Sequence, residues 1–198
     1  MHFCKTKALA LFLVFVHCGD FRGTDEATDA VDPMTDGILS NQHRIFVSTP
    51  GTNANFGGIA GADAACQSNA TAAGLVRTYK AILSTATQDA INHIAVTGEI
   101  YLFTSATTAQ LVASNLADLW DGNINVAINR TASYNAVGAV SVWTGTTLAG
   151  AFTTGDCSTW GNTVGGTRAG ITSMTDSNWI NNAGTLCAGN ARLYCISQ

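Results

Sequence analysis

Six cysteines and four histidines are the reactive residues of this chain. A cysteine thiolate can act as a nucleophile, hold a metal or pair with a second thiol. Cys66, Cys157, Cys187 and Cys195 contain no CxxC pair, so a zinc framework is disfavoured. They follow an N-terminal export signal, which places them where thiols oxidise to disulfides. That leaves no thiolate for catalysis. Four cysteines allow three pairings, and their spacing selects none of them.

The other candidates for chemistry are few. Past the leader only His43 and His93 remain, 50 positions apart, and they read as ordinary residues rather than zinc ligands. No GxSxG places a serine nucleophile, and Gly165-Gly166 lies in a loop rather than after a strand. The stretch Trp179-Ile180-Asn181-Asn182 could serve calcium-dependent sugar binding, but calcium wants several oxygen ligands and only Asp176 is close. A polar loop with Trp179 packed beneath it is the simpler reading. No enzyme activity, cofactor or metal is expected.

The leader has three parts. Lys5 and Lys7 give a positive start, and Ala8 to Val16 is an unbroken apolar run. Nine apolar residues suit a signal peptide, whereas spanning a bilayer takes about 20. Cys18, followed by Gly19 and Asp20, resembles a bacterial lipoprotein processing site, so 1–17 is read as the signal peptide and Cys18 as the lipid attachment residue. His17 departs from the small residue usual before that cysteine. Residues 18–41 carry Asp20, Asp25, Glu26, Asp29, Asp32 and Asp36 against one Arg22, with no apolar periodicity. Such a segment reads as a flexible acidic tether.

Residues 42–198 make one domain, long enough for a real core. Without the leader's two lysines the chain keeps 9 − 2 = 7 basic residues against 13 acidic, a net charge of −6. Lys80 is the one lysine left. Phosphate or sulfate polymers need clustered Lys and Arg, so nucleic acid and heparin-like partners are disfavoured.

The elements that must position these residues read as follows. His43 to Thr49 is a strand ending at Pro50-Gly51. An Ala-rich helix carries Cys66 between Gly57-Gly58 and Gly74. Strands are expected at 78–84, 99–105, 124–128 and 139–145, and a short helix over 89–96. Helical spacing of Leu111, Val112, Leu116, Leu119 and Trp120 predicts a helix over 109–120, capped by Thr107 or Thr108. Residues 145–190 read largely as Gly/Thr/Asn-rich loop, and Cys195 falls in a C-terminal strand. Helices early and strands late argue for an α+β domain.

Three blocks carry a family likeness. The stretch GGIAGADAACQSNATAAGLVRTYKAILST, then SVWTGTTLAGAFTTGDCSTW, then GTLCAGNARLYCISQ resemble, in order, the cysteine helix, the Trp-Gly…Cys-x-x-Trp segment and the C-terminal Cys…Cys ending of endostatin. The likeness spans about residues 44–198, with a poor match over 85–138. With its leader the chain is similar to the leptospiral endostatin-like surface lipoproteins and their bacterial relatives. The resemblance implies a single C-type-lectin-like domain with nested disulfides, Cys66–Cys195 and Cys157–Cys187. It implies core roles for Trp143 and Trp160. It further implies an outer-membrane, cell-surface adhesin for host matrix or plasma proteins such as laminin, fibronectin, fibrinogen or factor H, touching the membrane through its lipid alone. A carbohydrate-binding lectin-like domain and a structural envelope lipoprotein are the alternatives. Endostatin's zinc histidines and arginine cluster have no counterpart here. Plasminogen, which grips exposed lysines, is expected to bind weakly or independently of lysine, since Lys80 falls in a strand.

Overall fold

The structure, a computed structural model, describes residues 41–198. The expected signal peptide, Cys18 and the expected tether up to residue 40 lie outside the described residues. The architecture is α+β. One sheet has five strands in the order β2-β8-β1-β3-β4, and a second has three in the order β5-β6-β7.

The strand β1 (His43–Val47) is buried along its whole length. Its alternation sends Ile45 and Val47 into one core and Phe46 into another. Both faces of the sheet are therefore covered at β1, which explains why Ile45, Phe46 and Val47 are apolar in succession rather than alternating with polar residues. β1 pairs in parallel with β3 (Ile100–Ser105) and antiparallel with β8 (Tyr194–Ser197). A parallel neighbour needs a long crossover. That crossover holds α1 (Ile59–Ala72), β2 (Tyr79–Ala81) and the short α2 (Ala90–His93).

The helix α1 buries only Ala62, Cys66 and Ala70, spaced four apart on one face. Small side chains let it lie close to the sheet, which brings Cys66 against Cys195 on β8. Its end is a Schellman motif. Leu75 N–H donates to the Ala70 carbonyl and Gly74 N–H to Thr71. Gly74 takes φ +76°, a conformation that other residues adopt at a cost.

Three expectations are corrected. The predicted helix over 109–120 is instead β4 (Thr108–Ala113), followed by a single helical turn α3 (Leu116–Leu119). Ser105 pairs with Thr108 across a two-residue turn, so β4 folds straight back on β3. Ser114 and Asn115 then interrupt any continuous helix. Asn115 caps α3 by accepting from Asp118 N–H, and Ser114 donates twice to the Asp118 carboxylate. Those two bonds hold the Asp118 carboxyl below its ordinary value.

The predicted strand at 124–128 is an irregular segment. Ile124 and Ile128 are buried, but the backbone makes separate bonds to Thr175 and Val112 rather than a ladder. Residues 145–190 are not chiefly loop. They contain β6 (Gly166–Ile171) and β7 (Ala183–Leu186), which join β5 (Ser141–Trp143) in the small sheet. Strands are consequently spread through the chain rather than gathered in its second half.

The chain forms two disulfides, Cys66–Cys195 and Cys157–Cys187. Trp143 and Trp160 are fully buried and pack edge-on at 6.2 Å. Each indole N–H is used, Trp143 on the Thr52 carbonyl at 3.0 Å and Trp160 on the Ser84 carbonyl at 2.9 Å.

Candidate functional site

The second sheet and the segments leading into it make the candidate binding surface. Its foundation is the turn Cys157–Trp160, where four successive side-chain-bearing residues have φ between +51° and +62°. This is one turn of left-handed helix. Each such residue costs roughly 1–2 kcal/mol over the right-handed form. The surroundings hold it in place. Asp156 accepts from Thr159 N–H with one oxygen and from Ala86 N–H with the other. Trp160 is buried beside Trp143, its carbonyl accepts from both Phe56 and Gly58, and Cys157 is tied to Cys187. Gly155 precedes the turn with φ +72°, and a side chain there would strike the Gly166 carbonyl.

The turn delivers the chain to β6, whose partner β7 is an edge strand. Cys187 N–H bonds the Gly165 carbonyl, which fixes the alternation of the ladder. Gly184 N–H and C=O and Leu186 N–H then point away from β6, along the open edge. On the face of the sheet, Gly166 and Gly184 carry no side chains and form a floor. Arg168 stands at one end and Leu186 at the other, with Thr154 beside them. The resulting groove is shallow, about 450 Å³. Leu186 is 72% exposed and the nearby Val164 is 76% exposed. Both figures are large for apolar side chains on a paired strand or its flank. The Arg168 side chain makes no hydrogen bond or ion pair among the described residues.

The other residues singled out from the sequence go elsewhere. His43 is buried, with Nδ1 donating to the Ser197 carbonyl at 2.8 Å and Nε2 accepting from Thr97 N–H at 3.1 Å. Those partners fix a neutral imidazole. Burial, with the Arg77 charge adding to it, holds its pKa below the ordinary value against the raising effect of the Ser197 bond. His93 instead meets Asp63, Nε2 to Oδ1 at 3.0 Å, and that same oxygen accepts from Ala81 N–H. Lys80 lies in β2 and donates to the His93 carbonyl. The two histidines thus belong to separate networks.

Asp176 caps a 3₁₀ turn, Ser177–Trp179, with Asn178 occupying both its oxygens. Trp179 is fully buried under that loop, 5.7 Å from the Tyr194 ring. Among the described residues no group of three or more His, Cys, Asp and Glu could hold a metal ion. Nor is any helix among them long and apolar enough to cross a membrane.

The arginines are dispersed. Arg44 is buried in β1, its guanidinium 4.8 Å from the Phe103 ring centre and 5.0 Å from that of Tyr134, with one N–H on the Ala132 carbonyl. Two rings and a carbonyl, not a carboxylate, receive that charge. Arg77 bonds the Gln42 carbonyl and Arg192 the Ser48 carbonyl.

Sequence reasoning missed the Arg168–Leu186 groove. Its signal was present but faint: two short segments, GTRAGI and AGTL, in which glycine and an outward side chain alternate. Against known proteins, the chain matches no family model and no curated sequence.

Proposed function

We propose that this chain is a bacterial surface lipoprotein, anchored through Cys18, whose domain 42–198 is an endostatin-like module of C-type-lectin-like fold that binds host matrix or plasma proteins. The residue blocks shared with endostatin support the family. The feature that supports protein binding is the open edge of β7. It offers unpaired backbone groups, an apolar side chain at Leu186 and a cation at Arg168 within one shallow groove. An exposed strand edge is otherwise a liability that proteins cover or charge. Extended segments of a partner add to such edges through main-chain bonds, with side-chain pockets supplying selectivity.

The test is a panel of immobilised laminin, fibronectin, fibrinogen and factor H, probed with the detergent-purified full chain. Saturable binding to one of them, weakened roughly tenfold or more by Leu186→Asp with Val164→Asp, is the expected outcome. Equal binding by the double variant would remove the edge from the interface. Protease shaving of intact cells checks exposure, and a protected protein would count against an adhesin. Cys18→Ala should release the chain from the membrane fraction.

A further inference from the structure

A second groove, about 490 Å³, runs between the loop that leaves β1 and the side of α1. Thr49, Thr52, Asn53, Asn55 and Phe56 form its loop wall, and Asn69 stands on its helix wall. Every lining side chain is uncharged.

The loop wall is preformed. Thr49 N–H donates to Asn69 Oδ1 at 2.8 Å, and Thr52 exchanges two backbone bonds with Ala191. Ala54 N–H bonds the Cys187 carbonyl, and Phe56 N–H the Trp160 carbonyl. The wall is thus stapled to the inner disulfide and to the left-handed turn. Gly61 on α1 has no side chain where the Phe56 carbonyl lies, so loop and helix meet closely there. A groove held this way loses little freedom when it is filled.

Its free groups are specific. The Asn55 side-chain amide is exposed and makes no hydrogen bond among the described residues. Asn53 uses Oδ1 on Asn55 N–H and leaves its NH₂ free. The Thr49 and Thr52 hydroxyls are also unengaged. Amides and hydroxyls both donate and accept, so together they match a ligand whose groups also do both. Phe56, half-buried beside them, packs in part against the core and offers the rest of its apolar ring to the groove.

These properties discriminate between ligand classes. Phosphate, sulfate or carboxylate groups want a cation, and none lines the groove; Arg192 turns to the Ser48 carbonyl instead. A calcium-bridged ligand wants carboxylates, and none lines it either. A lipid tail would strand the amides. We infer that this groove binds a neutral saccharide, with vicinal hydroxyls on the asparagine and threonine groups and an apolar C–H face on Phe56, without a bridging metal. This site is separate from the loop around Trp179, and it does not depend on the β7 edge.

The test titrates the full chain with uncharged oligosaccharides ending in galactose, glucose, mannose or N-acetylglucosamine, and with sulfated versions of each, with and without a calcium chelator. Saturable binding to an uncharged member, unchanged by chelation, is expected. Asn55→Ala should weaken it roughly tenfold while the thermal midpoint holds, and Phe56→Ala should weaken it roughly tenfold with a lower midpoint, because the ring also packs on the core. Ala65→Phe, which fills the groove from α1, should abolish it, and Leu186→Asp should leave it intact. No uncharged oligosaccharide binding up to about 10 mM would overturn the inference, because even weak sugar sites register there. Loss on chelation, preference for the sulfated forms, or indifference to both Asn55→Ala and Phe56→Ala would overturn it equally.

Discussion

The five-stranded sheet buries both faces of its inner strands β1 and β8, whereas the three-stranded sheet leaves Leu186 on its edge strand, and Val164 on the flank, in water. They also differ in how the backbone is held. β1 and β8 sit in ordinary ladders with apolar side chains above and below. The small sheet hangs from a left-handed turn, a disulfide and a pair of tryptophans. One region is stable because it excludes water. The other keeps a shape that water alone would not select, because covalent and indole contacts hold it. A binding surface gains from the second arrangement, since groups left unpaired for a partner stay in place.

Removing the disulfides one at a time is the strongest way to break that contrast. Cys66 and Cys195 close 129 positions and Cys157 and Cys187 close 30. In the chain-entropy view the losses are about 5 and about 4 kcal/mol respectively. Their extent should differ more than their size. Without Cys66–Cys195, denaturant midpoints fall for the whole domain. Without Cys157–Cys187, hydrogen exchange should rise in β6 and β7 first while β1 and β8 stay protected. Simultaneous loss in both sheets would show that they are one cooperative unit.

A smaller change addresses the left-handed turn. Ser158 is exposed, has φ +55° and makes no side-chain hydrogen bond. Ser158→Gly should stabilise by about 1 kcal/mol, read as a higher thermal midpoint. A lower midpoint would mean that the turn carries no strain.

The large sheet should carry a pH dependence that the small one lacks. The His43 pKa is depressed in the folded chain, so below about 6.5 the unfolded chain binds a proton that the folded chain resists. Stability is then full above that pH and declines as pH falls through it. His43→Gln should flatten the slope of midpoint against pH between about 5 and 7. An unchanged slope would place the dependence elsewhere.

The smallest expected effect is at Tyr194. Its hydroxyl is buried with no partner among the described residues, and burial pushes the phenol far up. Tyr194→Phe should leave stability unchanged or raise it by up to about 1 kcal/mol. A clear loss in a melt would reveal a bound water or partner at that oxygen.

The sequence showed best what local chemistry decides. Gly57-Gly58, the alanines and Gly74 delimit α1, and the apolar residues at 45–47 and 100–103 mark the two parallel strands. Residues 108–120 misled because Leu111, Val112, Leu116 and Leu119 suit a helix stripe as well as a strand followed by a turn. What settles it is pairing with β3, a contact that no local window contains. β6 and β7 were hidden for a related reason. Their strand character comes from each other and from β5, while their own residues are largely glycine, threonine and alanine. The left-handed turn had no signal at all, since CSTW contains no glycine. The nested pairing and the core tryptophans were legible through family likeness rather than spacing. Of the two grooves, the asparagines of TPGTNANF were visible but looked like any polar loop.

The strand β8 lies between β2 and β1, so an interior strand of the large sheet is made from residues 194–197. Synthesis presents β1 long before β8 exists. Until then, β1 and β2 have no neighbour on their inner edges and Cys66 has no partner. Such remote pairing makes folding slow. The large sheet and the Cys66–Cys195 bond therefore close only once residues 194–197 have been made.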